Sequence, residues 1–327
     1  MHRSRSWWVL LMIMLSGCQI IWRENEQHYD QPWPVNRLLL VTVDDDGQIP
    51  FAQRGYPAAR YFLLSPQVDA QLAAIERRYP LERVDVWPIK PLGVYCFVLE
   101  VKEGADPEVT LAKIRQDPSI RIAQPLHNFE VLARDLSGHD KDYFSLQYGD
   151  NADRVRRWHQ QATGVGVRIA VIDTGIDRKH PNLHSRIAFS DNFVGDKTFD
   201  SDIHGTAVAG IIAASVASNG ATGLAPDASL LALKACWPQQ PDALPAHCNS
   251  FTLAKAVTSA LERHADIINL SLSGPRDALL ASLLNIALRQ HVLVIAAQHA
   301  ADDFPASLPG VIAVSEGQAH GQIAWVT

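Results

Sequence analysis

Long apolar stretches are missing from this chain of 327 residues. Its longest unbroken apolar run, Trp7 to Leu15, has nine residues, whereas an α-helix needs about 20 to cross a bilayer. A membrane-spanning helix is therefore not expected. Excess charge of one sign is missing too: 29 Lys plus Arg stand against 35 Asp plus Glu, for a net charge of -6, and no basic block follows the first few residues. That balance argues against nucleic acid as a partner. Cysteine is scarce, with 4 in all, so the chain is not a small disulfide-stapled scaffold, and its length predicts about two domains. No internal repeat is visible. What remains is ordinary: 47% hydrophobic and 20% charged residues match globular usage and argue against long disorder, collagen and coiled coil.

The N-terminus carries its own message. Residues 1–18, MHRSRSWWVLLMIMLSGC, join Arg3 and Arg5 to the short apolar run, the pattern of a secretory signal. Leu15-Ser16-Gly17-Cys18 resembles the lipobox of bacterial lipoproteins. The resemblance implies an acylated Cys18, an exported, membrane-anchored protein and, from Gln19, an outer-membrane or periplasmic location. Cleavage elsewhere would leave Cys18 incidental. Export puts the remaining cysteines in an oxidising compartment. Cys236 and Cys248 bracket WPQQPDALPAH, whose prolines mark an irregular loop, and a disulfide between them is expected, worth about 3 kcal/mol. Zinc held by Cys236, His247 and Cys248 is the alternative, with poor ligand spacing. Cys96, inside the apolar run Val94 to Leu99, reads as a buried thiol.

Periodicity divides the rest. Residues 19–59 read as an N-terminal extension with one strand-like run, Leu38 to Val43. A small domain is expected over 60–133. Ser65-Pro66 and Asp106-Pro107 are helix starts, Ser or Asp capping and Pro in the first turn. Val68, Leu72 and Ile75 follow the first at helical spacing, and Val109, Leu111 and Ile114 follow the second. Strands are expected at 82–88, 93–101 and from Ile120 to Ala123. With Leu38 to Val43 leading, the order strand, helix, strand, strand, helix, strand predicts a ferredoxin-like α+β fold. The polar stretch RDLSGHDKD at 134–142 is read as the join to a second domain over 143–327. There, apolar runs at Gly166 to Ile172, Leu230 to Ala235, Ile267 to Leu272 and Val292 to Ala297 alternate with helical patterns, which predicts an α/β domain with a parallel sheet.

In such a sheet, functional groups gather beyond the carboxyl ends of the strands. Asp173 ends the run Val167 to Ile172 and precedes Thr174-Gly175. A carboxylate there can orient an imidazole or simply cap a turn. His204-Gly205-Thr206 opens the helical run Ala207 to Ala214, and the positive end of a helix favours the neutral imidazole that a general base requires. Gly205 and Gly210 would allow close backbone approach. Asp177, His180, Asp200 and Asp202 flank these motifs and read as turn and loop residues. No cofactor motif is found, and no residue pattern supports a calcium site.

Here the sequence resembles the subtilase family of serine peptidases. RIAVIDTGIDRKHPNL (168–183) looks like the family's Asp motif, HGTAVAGIIAA (204–214) like its His motif and INLSLSG (268–274) like its substrate-lining strand. The resemblance implies that Asp173 orients, that His204 is the acid/base, and that Ser271, Leu272, Ser273 and Gly274 offer backbone to an extended peptide or protein substrate. It also implies a subtilisin-like sheet preceded by a propeptide-like inhibitory domain whose tail occupies the cleft. VLVIAAQHAADDFPASLPGVIAV (292–314) is similar to the segment bearing the oxyanion-hole Asn, and places His299 at that position. The family's Gly-Thr-Ser-x-Ala-x-Pro nucleophile segment is not found before Thr327. The chain is thus expected to be a C-terminally incomplete serine endopeptidase, impaired or inactive, or else a peptide- or protease-binding lipoprotein.

Overall fold

The computed structural model describes residues 35–45, 64–131, 152–195, 202–215, 222–238 and 245–315. Cys18 with the signal segment, and the 134–142 join, lie outside these residues. Among the described residues no helix is long and apolar enough to cross a membrane.

The small unit contains β1 (Leu38–Asp44), α1 (Pro66–Arg78), β2 (Leu81–Ile89), β3 (Val94–Val101), α2 (Pro107–Ile114) and β4 (Ile122–Pro125). Both helices start where their caps predict: Ser65 Oγ accepts from Val68 N–H, and the Asp106 carboxylate accepts from Glu108 and Val109 N–H. Val68, Leu72 and Ile75 are buried. On α2 the inward face is Thr110, Leu111 and Ile114, while Val109 is 52% exposed, so that one expected core position is corrected.

The sheet order is β2-β3-β1-β4, antiparallel throughout, which is the ferredoxin-like arrangement. β1 bonds to both β3 and β4. The domain start expected at residue 60 is therefore corrected: the sheet includes residues 38–44, the strand that leads the expected order.

Inner strands of this sheet are buried on both faces. Tyr95, Phe97, Leu99 and Val101 point toward α1 and α2, whereas Val94, Cys96 and Val98 belong to the core shared with the larger unit. Successive strand residues face opposite sides, so the unbroken run Val94 to Leu99 reflects two different coverings.

The larger unit holds α3 (Ala152–His159), β6 (Arg168–Asp173), β7 (Ile187–Asn192), α4 (Ile203–Ala213), β8 (Ser229–Lys234), α5 (Ser250–Glu262), β11 (Ile267–Leu270), α6 (Ala278–Arg289), β13 (Leu293–Ala297) and β14 (Ile312–Val314). Its six-stranded sheet, β14-β13-β11-β6-β8-β7, is parallel throughout, as the continuous apolar runs predict. A third sheet, β12-β5-β10-β9, uses β5 (Asn128–Val131), β9 (Cys236–Pro238), β10 (Ala246–Asn249) and β12 (Leu272–Ser273). The run expected as one strand over Ile267 to Leu272 is split: β11 lies in the parallel sheet, β12 lies in this third one, and Ser271 is the switch between them.

The small sheet rests on α5 and α6. A buried polar knot joins the units at Asp277, the N-cap of α6. Its Oδ2 accepts from Gln124 Nε2 at 2.6 Å, Ser250 Oγ at 2.5 Å and His127 Nδ1 at 3.0 Å, and its Oδ1 accepts from Leu280 N–H at 2.9 Å. Gln124 Oε1 in turn accepts from Ala278 and Leu279 N–H, supplying donors at the helix start with partners from another unit. Nearby, Lys255 on α5 lies 3.9 Å from the Phe251 ring centroid, 4.7 Å from that of Trp87 on β2 and 3.5 Å from the Asp85 carboxylate. Burial pulls its ammonium below the usual lysine range.

Candidate active site

Asp173 is the last residue of β6, between β11 and β8 in the parallel sheet, and is 1% exposed. Its position at the carboxyl end of an inner strand is where a doubly wound sheet presents chemistry. His204 is the second residue of α4, whose N-cap is Asp202. The ring is buried, and its Nδ1 donates to Asp173 Oδ1 at 2.8 Å. The helix begins at Ile203, one turn earlier than the run from Ala207 suggests, which sets His204 in the first turn.

Polar bonds lock the two motifs together. Asp173 Oδ1 also accepts from Thr174 N–H at 2.7 Å. Thr174 Oγ1 donates to Asp202 Oδ1 at 2.8 Å and accepts from Gly205 N–H at 3.1 Å, while Asp202 Oδ1 accepts from His204 N–H at 3.0 Å. Asp177 N–H donates to Thr206 Oγ1 at 2.9 Å. Gly205 is required by this closeness, because a Cβ there would lie 2.3 Å from the Gly175 carbonyl oxygen. The same expectation for Gly210 is corrected: a Cβ there meets nothing within 4 Å.

Asp173 Oδ2, by contrast, is buried with no hydrogen-bond partner among the described residues. Such an atom is rare enough to call for a functional explanation. Oriented this way, the carboxylate fixes the imidazole tautomer with the proton on Nδ1, so that Nε2 has a lone pair to take a proton from a hydroxyl, and it stabilises the imidazolium that forms. Thr174 and Asp202 are structural partners that the motifs alone do not reveal; an Asp two residues before the helical His is the signal available.

Beside the pair runs the expected substrate strand. Leu272 and Ser273 pair antiparallel with Val131 and Glu130 of β5, the chain's own segment following the small sheet. On its other side β5 pairs with β10, Glu130 lying opposite His247. The strand between β12 and β10 is thus supplied by the segment that follows the small sheet. Gly274 differs from its neighbours: its N–H donates to the Phe304 carbonyl at 2.9 Å, and a Cβ on it would meet the Phe129 ring at 2.4 Å. Ser271 Oγ accepts from Asn269 Nδ2 at 3.0 Å.

His299 lies on an exposed turn after β13. Its N–H and that of Ala300 donate to Asp303 Oδ2 at 2.7 and 2.8 Å, which holds the Asp303 carboxyl below the usual range. Its ring makes no hydrogen bond among the described residues.

Cys236 and Cys248 are disulfide-bonded and face each other across β9 and β10. The bond consumes both thiolates, which removes the zinc alternative with His247. Cys96 is a free, buried thiol whose ionisation is opposed by burial.

Residues 164–326 match the subtilase family model. Over 193 residues the chain is 33% identical to a subtilisin of Bacillus pumilus, spanning 55% of this chain and 67% of that protein. The chain belongs to the subtilase family. Subtilisin E of Bacillus subtilis (strain 168) is 31% identical over 230 residues, 66% of this chain and 56% of that protein. An intracellular serine protease of Paenibacillus polymyxa is 40% identical over 126 residues, 37% of this subtilase and 36% of its relative. This subtilase thus spans from about a third to a little over half of the length of these last two relatives. Among solved structures, fervidolysin from Fervidobacterium pennivorans, described as a keratinolytic enzyme related to subtilisin, superposes with a TM-score of 0.57 at 19% identity, over 85% of this chain and 42% of that one. That likeness establishes a subtilisin-like fold.

Proposed function

We propose that this subtilase is built for serine-type peptide-bond hydrolysis, with Asp173 as the orienting carboxylate, His204 as the acid/base and Leu272-Ser273 as the strand that holds an extended peptide or protein substrate. The observation that carries the reading is the 2.8 Å bond from His204 Nδ1 to the buried Asp173 carboxylate, next to a strand that already pairs with an extended segment. In the reaction a serine hydroxyl adds to the scissile carbonyl as its proton passes to His204 Nε2, and the imidazolium then gives that proton to the leaving amine. A Gly-Thr-Ser-x-Ala-x-Pro segment does not occur in the 327 residues, so the polypeptide of this sequence is expected to bind peptides and to hydrolyse them weakly or not at all. Casein and fluorogenic-peptide assays on the purified chain, with Asp173→Ala and His204→Ala beside it, test both halves. Hydrolysis lost in both variants would place a nucleophile within these residues and overturn the expected impairment; hydrolysis equal in all three would overturn the assigned roles.

A non-catalytic peptide- or protease-binding role is the second reading, favoured by β5, which pairs with both β10 and β12. Inhibition of a separate subtilase by the whole chain, retained in His204→Ala, is its signature. We further place the protein outside the cytoplasm as a lipoprotein anchored through Cys18. The Cys236–Cys248 disulfide supports an oxidising compartment. Labelled palmitate should enter the membrane fraction of the intact protein and be absent from Cys18→Ser; equal labelling of the two removes the anchor.

A further inference from the structure

Lysine is seldom buried unless it is paired, and Lys234 is 7% exposed. It ends β8 in register with Asp173, the end of β6, and with Asn192, the end of β7. The three share the rim where these parallel strands stop. Successive strand residues face opposite sides, and Ile169, Val171, Leu230 and Ala232 pack with Ala209 and Ala213 of α4, so Asp173 and Lys234 both belong to the face that α4 covers. That helix carries His204.

The Lys234 ammonium donates to the Thr174 carbonyl. This carbonyl lies one residue beyond the last paired residue of β6, where the Asp173 carbonyl accepts from Ala235 N–H at 2.9 Å, and a buried acceptor there needs a donor. A neutral donor would meet that need; a charge does more. Thr174 is the block between the two motifs: its N–H donates to Asp173 Oδ1, and its Oγ1 bonds to Asp202 and Gly205. With its carbonyl held as well, every polar group of Thr174 is fastened. Negative charge in this corner comes from Asp173 on β6, Asp202 at the N-cap of α4 and Asp177 in the loop after β6, whose N–H donates to Thr206. Lys234 brings a positive one.

We propose that Lys234 is a positioning residue for the acid/base: its ammonium anchors Thr174, and with it the Asp173 turn, to the sheet, and its charge keeps the His204 ring neutral until a proton is transferred to it. This rests on the reading of Asp173 and His204 given above. A cation opposes a second positive charge nearby, whereas a carboxylate favours one. Lys234 and Asp173 thus act on the imidazole with opposite signs.

The proton affinity of His204, followed by imidazole NMR against pH in the full chain and assigned by the signal missing from His204→Ala, tests this. Lys234→Met is expected to raise it about tenfold, and Lys234→Gln, which keeps a polar head at the rim, by a similar factor. Asp173→Asn should lower it. Lys255→Met, which removes a second buried lysine on α5, should leave it unchanged. Melting curves show which variants are folded; a merely loosened fold would move His204 in one direction whichever charge was removed. An unchanged or lowered affinity in folded Lys234→Met or Lys234→Gln, or an equal rise in Lys255→Met, would overturn the role of Lys234, while a fall in Asp173→Asn would leave the pair itself standing. No change in Asp173→Asn would overturn the pair, and the role of Lys234 with it.

Discussion

Two buried carboxylates in this protein bind a histidine through Nδ1, and their surroundings differ in one respect. Asp277 spreads four described hydrogen bonds over both its oxygens. Asp173 places its bonds to His204 and Thr174 on Oδ1 and leaves Oδ2 unpartnered. A saturated carboxylate at a helix start is a fastener, since every partner it releases becomes an unsatisfied buried group. A half-satisfied one keeps acceptor capacity in a water-poor corner, which suits a group that must stabilise an imidazolium as it forms. The pair of residue types is the same, and the accounting of bonds separates a saturated joint from one with acceptor capacity to spare.

That contrast can be broken most directly at Asp277. Asp277→Ala orphans Gln124, His127 and Ser250 at once and should cost about 4 kcal/mol of stability, read by urea denaturation with the small unit's undocking as the first event. A cost below about 1 kcal/mol would put the two carboxylates in the same class. A smaller effect sharpens the picture through a third carboxylate, Asp117. It accepts from Ser119 N–H and Oγ, from Tyr79 Oη and from Arg78, and these bonds, Ser119 first, lower its pKa from 3.8 to about 2. A depressed carboxyl pKa contributes stability that is complete above 3.8 and is lost as pH falls through 2. The loss should be on the order of 1 kcal/mol and should vanish in Asp117→Asn, as followed by melting temperature between pH 5 and 2. The smallest change belongs to Asp173→Asn, expected within about 0.5 kcal/mol of the parent because the amide oxygen can keep the bonds from His204 and Thr174; calorimetric melts showing a loss as large as that of Asp277→Ala would erase the distinction.

How much of this was legible in the amino-acid order depends on how far apart the interacting groups lie. Ser65-Pro66 and Asp106-Pro107 announce their helices because cap and first turn are local. The apolar runs announce a parallel sheet because burial on both faces leaves no alternation. Asp173 and His204 could be singled out from a strand end and a helix start. The place of β1 at the head of the small unit's strand order could be read, but not its pairing with Val94–Val101 and Ile122–Pro125, which lie well beyond a long mixed segment. The knot at Asp277 was hidden more deeply: Gln124 and His127 are 153 and 150 residues away from it, and nothing local to any of the three marks them as partners. Glycine shows the same limit. Gly205 and Gly210 look alike in the His motif, yet the first abuts the Gly175 carbonyl and the second faces open space.

The segment Asn128–Val131, tied to β4 through only Leu126 and His127, sets a threshold for any other strand that would pair with Leu272–Ser273 in its place. A short tether gives its cargo an effective local concentration in the millimolar range or above. A free peptide of equal intrinsic affinity at about 1 µM would therefore be outcompeted by roughly a thousand to one. Occupancy by outsiders is governed by how often this leash lets go rather than by how well they fit.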